Sequence, residues 1–550
     1  MKKKGPNFIE QIIEGDISRG FKKDDLRFRF PPEPNGYLHI GHLKAICLNF
    51  NLGEKYGAPV NLRFDDTNPE KEAKEYVDAI KNDILWLGYK WNKECYASDY
   101  FEQLYNWALV LIEKDLAFID SQSSEDIANQ KGTPTKEGKA SPYRDRDIEE
   151  SLKIFKEMHN GDHKQGEHVL RAKINMSSPN MLMRDPVIYR AMDSNHHRTG
   201  DSWKIYPMYD WTHGESDYIE QVSHSLCTLE FEPHRELYDW FLDSISPLKG
   251  IRPKQREFSR LNLSYTITSK RNLAKLVEEG VVGGWDDPRM PTISGLRNRG
   301  YTPESLKSFA LTVGISKREN VIDVSLLEFC VRSHLNEEAP RAMAVLDPLK
   351  ISIINYKENK EESVNFDINP QKPSQGKREI LFSKNIYIER EDFQENPEEG
   401  FFRLSLGEEV RLKNAYIIKA TNIIKNEDGQ ITEVECEYDE KSKSGSNTEE
   451  SNRKVKATIH WVSAETAEPA TINIYDRLFK VPEPGKSQDL LSEVNENSLE
   501  IKSAKVEPYL ASTKEGDHFQ FQRLGYFVRT NNKKTLEFNK TVGLRDGWKK

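Results

Sequence analysis

The stretch RFPPEPNGYLHIGH, residues 29–42, decides how the rest of the chain is read. Pro31, Pro32 and Pro34 fix φ and cannot donate to a ladder, so a strand arriving through Arg29 and Phe30 must stop and turn. Asn35 and Gly36 are turn formers. From Leu43 to Lys55 the apolar residues recur at helical spacing, which predicts a helix opening at or near His39–His42. Strand, rigid turn and helix start together outline a nucleotide-phosphate site, because a helix N-terminus offers unpaired backbone N–H groups and positive dipole. Gly41 lets a ligand approach the backbone, and His39 and His42, three apart, can face the same side. Taken alone, His-x-Gly-His is equally a pair of core or surface histidines.

Working outward, residues 7–20 read as a short amphipathic lead helix with Phe8, Ile9, Ile12 and Ile13 on one face. After Gly57-Ala58-Pro59, Val60–Phe64 reads as a strand ending in Asp65-Asp66-Thr67-Asn68-Pro69. Thr67 or Asn68 would cap a helix with Pro69 at its first position, and Ala73, Val77, Ile80, Ile84 and Leu87 form its apolar stripe up to Gly88. Strand–helix–strand–helix order predicts a parallel sheet in a nucleotide-binding α/β fold. Ligands of such sheets sit beyond the carboxyl ends of the strands, where Asp65 lies and could hold an ammonium group. Asp66 and Thr67 read as helix-cap residues.

The chain of 550 residues is long enough for several domains. With 36% hydrophobic and 31% charged residues it has no apolar run of about 18 residues to span a bilayer. The start, MKKKGPNFIEQIIEG, lacks a signal-peptide apolar run, so a cytosolic protein is expected. Cys47, Cys95, Cys227, Cys330 and Cys436 form no C-x-x-C pair, which predicts neither a disulfide framework nor zinc. A net charge of −9 argues against indiscriminate nucleic-acid binding and requires any RNA-binding charge to be segregated.

The signature PPEPNGYLHIGH resembles that of class I aminoacyl-tRNA synthetases, in the form used by the glutaminyl family and its glutamyl relatives. LRFDDTNP resembles the matching segment, where the first aspartate contacts the α-amino group; that role carries to Asp65. IYPMYDWTH and SHSLCTLEF resemble the glutaminyl family in particular, since glutamyl relatives usually carry arginine where Cys227 stands. A carboxylate side chain calls for a buried cation and a carboxamide for neutral groups, so Tyr209, a donor and acceptor, and the uncharged Cys227 suit an amide. Without the resemblance both would be ordinary core residues. Residues 268–270, about 230 after the first signature, resemble the KMSKS loop, with Ser269 and Lys270 matching and Thr268 departing from the usual methionine. A flexible lysine there suits a contact made mainly in the transition state as pyrophosphate leaves.

The resemblance covers about residues 7–548 and implies an α/β catalytic domain, Rossmann-like, at 1–100 and 206–261. It further implies an inserted acceptor-stem-binding subdomain at 101–205, a helical subdomain at 262–338, and two anticodon-binding β-barrels at 339–550. From the residues alone, 101–205 is a mixed α/β insertion, and beyond 340 short β-branched and aromatic runs predict all-β structure. A helix is expected from Ser98 to Phe118, a strand over 203–210, a helix over 217–226, and a mobile polar loop over 439–454. Arg144, Arg146, Arg171, Lys173, Arg184 and Arg190 are candidates for phosphate contact or for a solvated charged face.

By resemblance, ATP meets Glu33, Pro34, Asn35, His39, Ile40, Gly41, His42, Leu43, Lys44, Ala45, Thr228, Arg260, Leu261, Thr268, Ser269 and Lys270. His39, His42 and Lys270 are the catalytic candidates; glutamine meets Asp65, Tyr209, Cys227 and Gln255; anticodon bases meet Arg341, Arg403, Arg411 and Gln520. Mg²⁺ accompanies ATP, tRNA(Gln) and L-glutamine are the other substrates, and a monomer is expected. Pro233 stands where the best-known bacterial pattern has an acidic residue, which removes one base-edge partner at the acceptor stem. The competing readings are a glutamyl-tRNA synthetase of the eukaryotic or archaeal type, a tRNA-binding protein without catalysis, and a small-cofactor adenylyltransferase.

Overall fold

The structure is a computed structural model describing residues 5–245, 247–358, 360 and 362–545. Residues 1–4 and 546–550, the outer ends of the 1–100 and 339–550 assignments, lie outside it. The chain divides into two compact units, Met1–Asn262 with Ala310–Ile322, and Leu263–Phe309 with Asp323–Lys550.

In the first unit α1 (Phe8–Ser18) opens on a capping box made by Asn7 and Glu10. Strand β1 (Phe28–Phe30) stops at the prolines, and α2 (Ile40–Tyr56) follows the turn and ends at Gly57 with φ +68°. β2 (Val60–Phe64) pairs in parallel with β1 and with β3 (Glu94–Tyr96). α2 lies against β2 so closely that a Cβ on Gly53 would stand 2.4 Å from Val60 Cγ2. Helix α3 begins at Lys74 and runs to Trp86, not from Thr67 or Asn68. The cause is local: Asn68 N–H donates to Glu72 Oε1 and Lys71 N–H to Asn68 O, which closes the segment as a turn.

The predicted helix 98–118 is shorter, α4 (Phe101–Glu113), because Asp115 at φ +57° turns the chain into strand β4 (Ala117–Asp120). With α5 (Ser124–Gln130) and α6 (Ile148–Asn160) outside it, an antiparallel sheet then joins β4, β5 (Val169–Ala172), β6 (Val187–Ala191) and β7 (Ile205–Pro207). The strand read as resuming the main sheet therefore belongs to the insertion. α7 (Tyr209–Ile219) follows at once, and residues 224–226, read as the end of a helix, lie in strand β8 (His224–Thr228). β8 pairs in parallel with β9 (Lys254–Phe258) after α8 (Arg235–Ser244), and its entry is bonded to that of β1, Ser223 N–H donating to Arg27 O at 3.0 Å.

The second unit opens with α9 (Lys270–Glu278) and includes the helix Val324–Glu338. Two seven-stranded sheets follow. In one, the edge strands are Arg341–Ala342 and Ala344–Val345; in the other, Thr458–Ile459 and Val462–Ser463. Each pair of edges is one short run of chain, so each sheet closes on itself and no edge is left open. Separate apolar cores fill them, around Trp461 and Phe382 in one and around Phe521 and Phe538 in the other. The polar segment read as mobile, 439–454, is tied down: the Arg411 guanidinium donates to the carbonyls of Ser442, Ser451 and Arg453.

Candidate active site

The proline turn, the strand ends of β2 and β8 and the start of α7 meet at one end of the parallel sheet. Asp65 N–H donates to Pro32 O at 3.1 Å and Ala73 N–H to Pro34 O, which fastens the Asp65 loop to the signature turn. At the helix start His39 is the N-cap: its Nδ1 accepts from Gly41 N–H at 3.1 Å, while His42 Nδ1 accepts from His39 N–H at 3.1 Å. Both rings, 3.9 Å apart, thus have Nδ1 acting as acceptor, so in the neutral form each carries its proton on Nε2 as a donor.

The ATP candidates of this unit divide by burial. Ile40, Leu43 and Leu261 are core side chains, leaving only their backbone for a ligand, and Ala45 is half-buried. Lys44 is buried and donates to Ser259 Oγ at 2.8 Å, and burial brings its amine down to about 8. Thr228 Oγ1 donates to Glu230 at 2.8 Å; Arg260 stands 3.8 Å from Glu230 and 3.9 Å from Glu319, and Asn35 donates to Glu33.

Behind these lies a buried charge network that sequence reading did not anticipate. Arg63 Nε donates to Asp65 Oδ1 at 2.8 Å and its Nη1 to Asp217 Oδ1 at 2.7 Å; Arg29 Nε meets the same Asp217 oxygen at 3.0 Å. Arg29 also donates to Ser225 Oγ and lies 3.7 Å from Cys227 Sγ, which is 3.5 Å from His213 Nε2; the His213 ring stacks on Tyr209 at 5.1 Å. One chain of contacts therefore joins Asp65, Cys227 and Tyr209. Burial works to raise Asp217, yet Arg29 and Arg63 hold it well below the usual carboxylate range. Burial pushes Asp65 up to about 6 against the pull of Arg63, brings His213 down to about 3, and keeps the Tyr209 phenol and Cys227 thiol protonated. The signal for Arg29 and Arg63 was available: arginine in the middle of FRF and LRF, strands buried on both faces.

Among the buried side-chain oxygens without a hydrogen-bond partner, two belong to the predicted glutamine site. Asp65 Oδ2 has no hydrogen-bond partner, nor has Gln255 Oε1. The Gln255 amide is oriented without ambiguity, because its Nε2 donates to Phe231 O at 2.8 Å and Glu257 Oε1 at 3.0 Å.

Asp66 is not a helix cap. Its carboxylate accepts from Ser98 N–H at 2.9 Å and Ser98 Oγ at 2.7 Å, and its carbonyl from His196 Nε2 at 2.9 Å. Of the arginines weighed for phosphate contact, Arg171 and Arg184 are internal: Arg171 pairs with Asp120, and Arg184 donates to the carbonyls of Lys131, Thr133, Lys136 and Ser178. Arg144 pairs with Asp185, and Lys173 with Asp115 and Asp145. Arg146 reaches Ser121 and Glu150, and Arg190 is half-buried. Pro233 lies in a 3₁₀ turn, where its carbonyl accepts from the Asn180 amide at 2.9 Å.

The remaining candidates belong to the second unit. Ser269 is the exposed N-cap of α9, Thr268 precedes it half-buried, and Lys270 is the first helical residue. Arg341 and Gln520 are register partners on adjacent strands. Arg341 donates to the carbonyls of Ala339 at 2.6 Å and Asn336 at 2.8 Å, and Arg403 pairs with Glu391 and Asp392.

Family models match three successive parts of the chain: the catalytic domain of class I (E and Q) tRNA synthetases over residues 25–337, and two anticodon-binding domains of the same group over 339–439 and 458–530. The chain belongs to the class I tRNA synthetases of the E and Q type. Within that family it is 53% identical over 548 residues to the glutamine–tRNA ligase of Vibrio vulnificus, covering 99% of this chain and 98% of the relative. The glutamine–tRNA ligases of Aliivibrio fischeri and Cronobacter sakazakii are each 52% identical, over 98% and 99% of this chain and 98% of each relative.

Proposed function

We propose that this chain activates L-glutamine with ATP and transfers the glutaminyl group to the terminal ribose of tRNA(Gln). The observation that carries the choice of amino acid is the uncharged pocket wall. Arg29 and Arg63 both face internal carboxylates, Asp217 between them with Asp65 and Glu220 against Arg63, so their charge is already balanced inside the network rather than offered to a glutamate side chain. Gln255 Oε1 is an open acceptor: it suits the N–H groups of a carboxamide and repels a carboxylate. Asp65 Oδ2 takes the α-ammonium, and the Tyr209 phenol, kept neutral by burial, orients the substrate. Any remaining charge mismatch in such a closed site costs several kcal/mol.

The Nε2 donors of His39 and His42, at the positive end of α2, receive the phosphates, where they stabilise charge as the carboxylate of glutamine attacks the α-phosphorus and pyrophosphate leaves. Lys270 assists that departure, as the loop's resemblance implies. Mg²⁺ enters with ATP and neutralises phosphate charge; no step requires zinc. No side-chain nucleophile is needed, since positioning and electrostatics supply the rate. Arg341, Arg403, Arg411 and Gln520 read the anticodon, and the 101–205 insertion holds the acceptor stem. Among the described residues no helix is long and apolar enough to cross a membrane.

Charging tRNA with labelled glutamine or glutamate in parallel tests the reading: glutamine is the expected substrate, and a preference for glutamate rejects it. Lys270→Ala should lower kcat by roughly 10²–10³-fold with tRNA affinity unchanged; an equal loss in binding would remove its transition-state role.

A further inference from the structure

The insertion gathers metal-ligating side chains where α6 gives way to β5, none of them among the pocket residues named above. His163 donates Nε2–H to Glu157 Oε2 at 3.2 Å, which leaves the lone pair on Nδ1. That atom stands 3.7 Å from Glu167 Oε2, and Glu167 is itself tethered by the Lys164 N–H at 3.0 Å. His168 packs edge-on against His163 with ring centroids 4.5 Å apart. Its Nδ1 is bonded to Ser121 Oγ at 2.8 Å, and Ser121 is held in turn by Arg146 at 3.0 Å. One donor atom from each of His163, Glu167 and His168 lies within 4.8 Å of the others.

Three features separate this group from an ordinary ion pair. Each imidazole has one nitrogen fixed by an outer partner, a carboxylate for His163 and a hydroxyl for His168, which is how proteins aim histidines at a metal. Two imidazoles and one carboxylate match zinc rather than magnesium or calcium. The 3.7 Å separation is close to the ~3.4 Å between tetrahedral neighbours around a zinc ion with bonds of about 2.0–2.1 Å. The other convergent group, Asp66, His196 and His197, fails the same test. His196 Nδ1 accepts two backbone N–H groups, so its Nε2 carries the proton and donates to the Asp66 carbonyl.

We propose that His163, Glu167 and His168 form a zinc site that clips the exit of α6 to the start of β5, with solvent completing the tetrahedron at the exposed side of Glu167. The ion is structural and takes no part in the aminoacylation chemistry.

The test uses the full chain after chelator treatment, titrated with zinc by calorimetry and with cobalt(II) by visible absorption. The expected result is one saturable equivalent with tetrahedral cobalt bands, lost in His163→Ala/His168→Ala. Glu157→Gln, which replaces no ligand but weakens the partner of His163, should keep the equivalent with affinity reduced about 10–100-fold. Melting curves of the metal-free variants check that any loss is not misfolding. The site is overturned if the unsubstituted chain shows no saturable uptake, if the equivalent survives in the double variant, or if Glu157→Gln binds as tightly as the parent. His163 would then be only an imidazole paired with two carboxylates.

Discussion

Arginines are buried in two different ways in this molecule. In the first unit Arg29 and Arg63 face carboxylates, Asp217 between them, with Asp65 and Glu220 against Arg63. In the second unit buried Arg341 donates to main-chain carbonyls and an amide oxygen, and half-buried Arg411 to carbonyls and a hydroxyl, with no carboxylate among these partners. Arg184 of the insertion follows the second pattern. A carboxylate cancels the field of the guanidinium, and a carbonyl dipole solvates the cation but leaves its net charge standing. The basicity shifts run accordingly: burial is outweighed by carboxylates for Arg29 and Arg63, which are raised, whereas burial lowers Arg341, and burial with the neighbouring Arg453 charge lowers Arg411. The first arrangement suits a pocket that must judge a small zwitterion by its neutral groups. The second leaves positive charge uncancelled within a chain of net charge −9, which suits the proposed contact with nucleic acid.

The contrast can be broken by removing one member of each set. Asp217→Asn should destabilise the chain by about 3–5 kcal/mol, because two buried guanidinium groups lose their shared counter-charge; chemical denaturation measures it. Arg341→Ala breaks no ion pair, so a stability loss as large would erase the distinction. Its expected effect is instead a roughly tenfold loss of selection between cognate and anticodon-substituted tRNA, as for the loss of one base-edge contact worth 1–3 kcal/mol.

A pH titration sharpens the first half. Asp65 is pushed up to about 6, above its ordinary value of 3.8, so ionised Asp65 costs the fold stability and acid relieves that cost. Glutamine binding needs the ionised form, and KM for glutamine should rise up to about tenfold per pH unit below 6. Initial rates across pH check this, and Asp65→Asn should abolish the slope. The smallest effect expected is that of Tyr209→Phe, a several-fold erosion of the preference for glutamine over glutamate, on the scale of one hydrogen bond of about 1 kcal/mol. An unchanged ratio would remove the hydroxyl from the account.

Much of this was legible in the chain. The helix start at His39–His42, the strand before Asp65, the mixed insertion and the C-terminal β structure all follow from local rules of proline, glycine and apolar period, which act between near neighbours. The misreadings share one cause. Thr67-Asn68-Pro69 carries the local chemistry of a helix cap, yet Glu72 captures the Asn68 N–H and delays the helix to Lys74. Residues 205–207 look like any strand, and only pairing with Val187–Ala191 assigns them to the insertion. Arg171 and Arg184 look like surface cations until the fold supplies Asp120 and four carbonyls.

The sequence by itself determined the rigid proline turn, the helix start behind it and the residue types at the proposed pocket, since each depends on neighbours within a few positions. Only the tertiary structure decided which charges are spent and which are open: Asp217 meets Arg29 across 188 residues and Gln255 meets Phe231 across 24. Whether a buried polar atom has a partner is set by what packs against it, and that is a property of the assembled core rather than of the chain beside it.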